Sequence, residues 1–204
     1  MLVGPKYKIC KRLGSSVFEK CQTQKFQLSE QNSPRRTSRP KRGGGSDFGA
    51  QLLEKQKARF TYGLSESQFS RYVHEAMEKK GKDSGEGLMT RLESRLDNVV
   101  FRAGFVKTRR AARQLVSHGH VTVNGKRMNV PSHCVSVGDV VGIRTESRQS
   151  PLFANRNEVM AEIKTPQWME LEDGGYAAKI AASPSVAPTE APFSAATIIQ
   201  FYSR

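Results

Sequence analysis

The chain has no apolar run approaching the ~20 residues that a membrane-spanning helix needs. Its first residues, Met1-Leu2-Val3-Gly4-Pro5, carry no hydrophobic stretch of export-signal length, so no membrane and a cytoplasmic compartment are expected. Cysteine is scarce: Cys10, Cys21 and Cys134 are too few and too scattered for a disulfide framework. Aromatic residues make up only 8%, and none fall into the aromatic-rich strand motifs that read single-stranded RNA. Negative charge is the other shortage, with 19 Asp plus Glu against 33 Lys plus Arg, a formal net charge of +14. A chain this basic repels itself when compact, and a polyanion is its natural partner.

The charge is uneven. Residues 1–60 hold 14 basic and 4 acidic side chains, residues 61–150 hold 15 and 9, and residues 151–204 hold 4 and 6. A uniformly solvated surface does not predict that gradient. Within the basic end, Ser33-Pro34-Arg35-Arg36-Thr37-Ser38-Arg39-Pro40-Lys41-Arg42 places five cations around two prolines, followed by Gly43-Gly44-Gly45. Proline and glycine break regular structure and like charges repel, so residues 1–47 read as an irregular basic extension whose arm orders on RNA.

Regular structure is expected from about Phe48. Gln51–Tyr62 has helix-forming composition and stops at Gly63. Ser65 and Gln68 have capping-box spacing, Leu64 and Phe69 that of a hydrophobic staple. Phe69, Tyr72, Val73, Ala76 and Met77 then mark one apolar helical face. Gly81 to Gly87 reads as a linker. Leu88–Ala103 is expected as a third helix and Arg109–His118, capped by Thr108, as a fourth. The period then changes to two. Val121 and Val123 lead into Asn124-Gly125, the strongest two-residue hairpin signal, and Val135, Val137, Val140, Val141 and Ile143 supply further strand material.

The fold class is therefore α+β: a helical domain over 48–87, completed by the apolar 193–204, and a small helix-helix-hairpin module with short strands over 88–150. Residues 151–192 read as a loop-rich extension, rich in Ala, Pro and Ser towards its end.

Lys107, Arg109, Arg110 and Arg113 crowd the start of the fourth helix, with Arg109 and Arg113 on one face. Cations at a helix N-terminus oppose the helix dipole, and a polyanion crossing that end reverses the penalty. Arg91, Arg95 and Arg102 flank the preceding helix, while Gln114, His118, His120, Asn124 and Lys126 continue the polar surface. Phosphate contacts give affinity and register, so a folded RNA read by shape is the expected ligand.

The run Arg95-Leu96-Asp97-Asn98-Val99-Val100-Phe101-Arg102-Ala103-Gly104-Phe105, then Thr108-Arg109, Ala112 to His120 and Val123-Asn124-Gly125, resembles the RNA-binding module of the small-subunit ribosomal protein S-four family. Ser46 to Gly49, Gln51-Leu52, Glu54 to Lys57 and Tyr62 to Phe69 resemble the same family's helical domain, and Tyr202-Ser203-Arg204 its ending. The resemblance implies early binding to the 5′ domain of small-subunit ribosomal RNA, a neighbouring S-five protein, proximity to the messenger-RNA entry path, and an influence on decoding accuracy. It carries Arg35, Arg36, Arg39, Lys41, Arg42 and Lys55 into the RNA-binding set, together with Thr108 and the module residues above. Some relatives bind zinc through four N-terminal cysteines. Only Cys10 and Cys21 stand here, so no metal and no cofactor are expected. Cys134 reads as a small buried hydrophobe.

Two rival readings use the same module: an RNA-modifying enzyme or a ribosome-associated factor. An enzyme needs a separate catalytic domain, whereas 61 residues follow Ile143, and His74, His118, His120 and His133 lack a nucleophile in a marked motif. A factor is not expected to carry the 48–77 helical region. The expected protein is not an enzyme.

Overall fold

A computed structural model describes residues 4–31, 46–79, 83–153, 165–185 and 191–203. The basic arm with Arg35, Arg36, Arg39, Lys41 and Arg42 lies outside the described residues. The chain divides into two compact units, Met1–Leu88 with Ala187–Arg204, and Met89–Val186.

The first unit is helical. Its helices are α1 (Lys6–Leu13), α2 (Gln24–Gln31), α3 (Asp47–Thr61), α4 (Glu66–Glu78), the start of α5 (Ser84–Glu93), and α8 (Ala195–Tyr202). Two of these fall where an irregular extension was expected. α1 buries Cys10 and Leu13, and with Cys21, Phe18 and Phe26 forms a small apolar cluster. The helices are eight residues each, too short to announce themselves by period, and packing rather than propensity stabilises them.

Ser46 caps α3 by accepting from the Gly49 N–H at 3.2 Å, and Ser65 caps α4 by accepting from the Gln68 N–H at 3.3 Å. The capping box is half made, because the Gln68 side chain donates to Tyr72 Oη instead of turning back. Leu64, Phe69, Tyr72 and Val73 are fully buried, as the staple and the apolar stripe require. α5 begins inside the expected linker, at Ser84. A side chain at Gly85 would meet the Ala195 methyl at 3.5 Å and one at Gly87 the Ala76 methyl at 3.8 Å, ordinary contact distances, so neither glycine breaks the helix and neither is required by its packing.

The second unit joins the end of α5, α6 (Leu96–Arg102) and α7 (Arg109–Ser117) to one antiparallel sheet. The sheet runs β2 (Lys126–Met128), β1 (Val121–Val123), β3 (Val140–Ile143), β5 (Ala177–Ile180), β4 (Met169–Glu172). Asn124 (φ 50°) and Gly125 (φ 76°) make the turn between β1 and β2, with Val123 opposite Lys126. The core gathers Leu96, Val99 and Val100 of α6, Ala112, Leu115 and Val116 of α7, Val121, Val141 and Ile143 of the sheet, and Phe153 and Trp168.

Three further expectations are corrected. The third helix is not continuous: it breaks at Ser94-Arg95, where the 133–135 segment docks. Ser94 C=O accepts from the Val135 N–H at 2.8 Å and His133 C=O from the Leu96 N–H at 2.9 Å. Cys134, expected buried, is exposed. And the 151–192 segment is not merely loop. β4 and β5 belong to it, and Val141 of β3 pairs with Ala178 of β5. Strands of four residues with little alternation carry almost no periodic signal, and the pairing that holds them is non-local.

Candidate RNA-binding surface

α7 is oriented by its buried face. Ala112, Leu115 and Val116 enter the core, which turns Arg109 and Arg113 towards α6. Thr108 starts the helix by accepting from the Ala111 N–H at 3.0 Å, so its hydroxyl is a cap. What α6 offers the two arginines is acidic and amide, not apolar. Asp97 Oδ2 accepts from Arg113 Nε at 2.8 Å and Nη2 at 2.6 Å. The same carboxylate takes Arg95 through both oxygens, from Nε at 3.0 Å and Nη2 at 2.7 Å.

A second set lies beside it. Glu93, fully buried, accepts from Arg102 Nε at 2.9 Å and Nη2 at 3.1 Å, and from Asn98 Nδ2 at 2.7 Å. The other end of the Asn98 amide, Oδ1, accepts from Arg109 Nε at 2.8 Å. The Arg109 guanidinium also lies over the Phe101 ring, 4.4 Å from its centroid. Four arginines are thus tied by two carboxylates and one amide. Buried carboxylates survive only when paired and hydrogen-bonded, and here both are.

The expected surface must be redrawn residue by residue. Arg95 is 2% exposed and bound through Nε and Nη2 to Asp97, so its side chain is not presented at the surface. Lys55, in the other unit, is also buried: its Nζ lies 2.6 Å from Glu66 Oε1 and 4.7 Å from the Phe201 ring centre. Both are structural ties, because a buried cation needs a fixed counter-ion more than a solvated one does. Arg102, Arg109 and Arg113 are half-buried in the network just described, and Arg91 is half-buried on α5. Lys107, Arg110, Gln114 and His118 stand exposed around α7.

The hairpin continues this face. Lys126 and Arg127 are exposed, and Arg127 Nη2 donates to the His118 C=O at 3.4 Å. His120 is half-buried, its Nδ1 3.0 Å from Ser147 Oγ. Asn124 is exposed, but its amide is committed: Nδ2 donates to Asp139 Oδ1 at 2.8 Å and Oδ1 accepts from the Val140 N–H at 2.9 Å. The N–H of Ser136, then the Asn124 amide, hold the Asp139 carboxyl below its ordinary value. Glu93, Asp97 and Asn98, which hold these arginines, are the members of the network that the sequence reading did not single out. Asp97 and Arg113 are 16 apart, and no local spacing links them.

In the first unit, burial followed by the hydrogen bond with Cys10 pushes the Cys21 thiol up to about 12. Among the described residues no group of three or more His, Cys, Asp or Glu is placed to hold a metal ion.

A polar, cationic face on two helices and a hairpin defines a class that the family comparison names: residues 94–141 match the S4 domain. Residues 1–93 match the ribosomal protein S4/S9 N-terminal domain. Relatives match over most or nearly all of the chain. Small ribosomal subunit protein uS4 of Acetivibrio thermocellus is 40% identical over 204 residues, covering 98% of this chain and 98% of that protein. Those of Roseiflexus castenholzii and Corynebacterium kroppenstedtii are 42% and 48% identical, over 99% and 78% of this chain and 98% and 79% of theirs. The chain belongs to the ribosomal protein S4 family.

Proposed function

We propose that the chain is a structural, non-catalytic constituent of the small ribosomal subunit that binds ribosomal RNA through α6, α7 and the β1–β2 hairpin. The observation that carries this reading is the pinned arginine face: Arg102, Arg109 and Arg113 are fixed at α6 with Lys107, Arg110 and Lys126 exposed about them. Fixed guanidiniums suit a rigid phosphate array, and structured RNA is recognised largely by shape. Family membership over nearly the whole length speaks for this reading over an RNA-modifying enzyme or a recycling factor.

The finer reading is that the RNA site is a helical junction in the 5′ domain, bound early so that assembly of the subunit body nucleates there. An S-five protein is the proposed neighbour. The arm Arg35–Arg42 is proposed to lie by the messenger-RNA entry path, with an effect on decoding accuracy. Chemical footprinting of the purified protein on naked small-subunit RNA tests the central claim. Protection of one multi-helix junction in the 5′ domain is expected, and uniform protection along all helices would refute it.

A further inference from the structure

Two carboxylates sit at the heart of a face proposed to bind a polyanion, and both are buried: Glu93 at 0% and Asp97 at 4% exposure. Electrostatics alone argues against their presence. They cancel two of the four positive charges of Arg95, Arg102, Arg109 and Arg113, and so weaken any simple attraction for phosphate. Their geometry suggests what is gained in exchange. Asp97 grips Arg113 through the Nε edge at 2.8 Å, while that side chain retains 31% of its surface in solvent. Glu93 grips Arg102 through Nε and Nη2 and, through the Asn98 amide, the Nε of Arg109. Arg102, Arg109 and Arg113 are each held through Nε. A free arginine on a helix surface loses rotamer freedom when it docks on a phosphate, whereas one already held loses little.

We propose that Glu93 and Asp97, with Asn98 as relay, are positioning residues for RNA recognition: they aim Arg102, Arg109 and Arg113 at one folded RNA, sacrificing general affinity for shape selectivity. The inference rests on the RNA-binding reading above. It assigns acidic side chains to the recognition of an anion, a role they hold through the arginines and without touching RNA.

The test is Asp97→Asn in the full chain, which conserves shape and raises net charge by one. Dissociation constants are measured for a folded multi-helix junction from small-subunit RNA and for a plain RNA duplex of equal length. Positioning predicts that junction binding weakens by roughly tenfold, about the worth of one charge-assisted hydrogen bond, while duplex binding holds or tightens. In an Arg113→Ala background the added cost of Asp97→Asn disappears, because the carboxylate acts through that arginine. Tighter binding to both RNAs, a parallel loss on both, or a cost that persists without Arg113 would overturn the proposal. Should Asp97→Asn fail to fold by circular dichroism, Asn98→Ser probes the same idea at Arg109 with no change of charge. Loss of junction selectivity that vanishes in Arg109→Ala supports positioning, and unchanged selectivity refutes it. If the unmodified protein itself shows no preference for the junction, the RNA-binding reading falls first, and that outcome is read before any variant is compared.

Discussion

Lys55 Nζ lies 2.6 Å from Glu66 Oε1, an oxygen that also accepts from Tyr202 Oη at 2.9 Å. Arg59 Nη1 reaches the other oxygen at 3.0 Å. One carboxylate therefore joins side chains of α3, α4 and α8. Burial would raise its pKa, but hydrogen bonds from Lys55 and Tyr202, with the nearby positive charges, outweigh that and hold it below the ordinary value. Burial, then the same hydrogen bond, push the Tyr202 hydroxyl upward, so it remains a donor throughout the accessible range.

A depressed carboxyl contributes stability that is present above its unfolded pKa and disappears as pH falls through the folded one. Glu66→Gln should accordingly lower the melting temperature at pH 7, and the gap to the unmodified protein should narrow in acid as the native carboxylate is protonated. The Glu66 side chain keeps 44% of its surface exposed, so screening by solvent limits the effect to roughly 1 kcal/mol. Thermal melts at pH 7 and in acid decide it. A gap that is constant with pH would mean the tie is steric and not ionic.

The β1–β2 turn gives a second prediction. Asn124 does two jobs, adopting a left-handed backbone and bonding to Asp139 and Val140 across to the next turn. Asn124→Gly retains the first and loses the second, costing about 1 kcal/mol. Asn124→Ala loses both and should cost about 2 kcal/mol or more. Urea denaturation separates them: equal costs would show that the left-handed backbone contributes nothing, and an Asn124→Gly variant as stable as the unmodified chain would show the same of the side-chain bonds.

Salt dependence distinguishes exposed from pinned cations. Arg110→Ala and Lys126→Ala remove exposed side chains, so each should lower the log–log slope of RNA affinity against salt by roughly one for every phosphate it ceases to neutralise. Melting temperature should stay level. Arg113→Ala leaves Asp97 short of a partner and should lower the melting temperature as well as affinity, while Arg95→Ala, with its side chain buried, should unfold the unit more than it changes the slope. Filter binding across a salt series beside thermal melts reads both.

What the sequence disclosed and what it withheld have a common physical basis. The stripe from Phe69 to Ala76, the Thr108 cap and the Asn124-Gly125 turn are local signals, complete within a few residues, and each appears in the structure. The surface arginines were legible as charge but not as partners. Nothing in the order of residues says that Arg113 meets Asp97, or that Arg95 turns inward where the helix breaks to admit residues 133–135. Helices α1 and α2 were hidden because their apolar residues serve a cluster assembled from separate segments, Cys10 with Cys21 and Phe26. The resemblance of motifs supplied the family. It could not supply the division of labour among the cations, which depends on burial.

The strands beyond residue 165 carry the last prediction. Trp168 is 4% exposed and packs in the same core as Val141 and Ile180, and β5 covers the edge of β3 through Val141 opposite Ala178. Removing residues 151–204 would bare that edge and take Phe153, Trp168, Met169, Ala178 and Ile180 from the core. The shortened chain should therefore lose protection of the β3 amides in hydrogen exchange, although its helix-helix-hairpin portion is intact in sequence. Point variants give the milder version. Trp168→Ala should cost about 3–5 kcal/mol, as large aromatic truncations do. Trp168→Phe should cost far less, because the indole Nε1 has no hydrogen-bond partner among the described residues to forfeit and most of the apolar volume is retained. A truncated chain whose β3 amides remain protected would show that residues 165–180 are an appendage to the module and not part of its sheet.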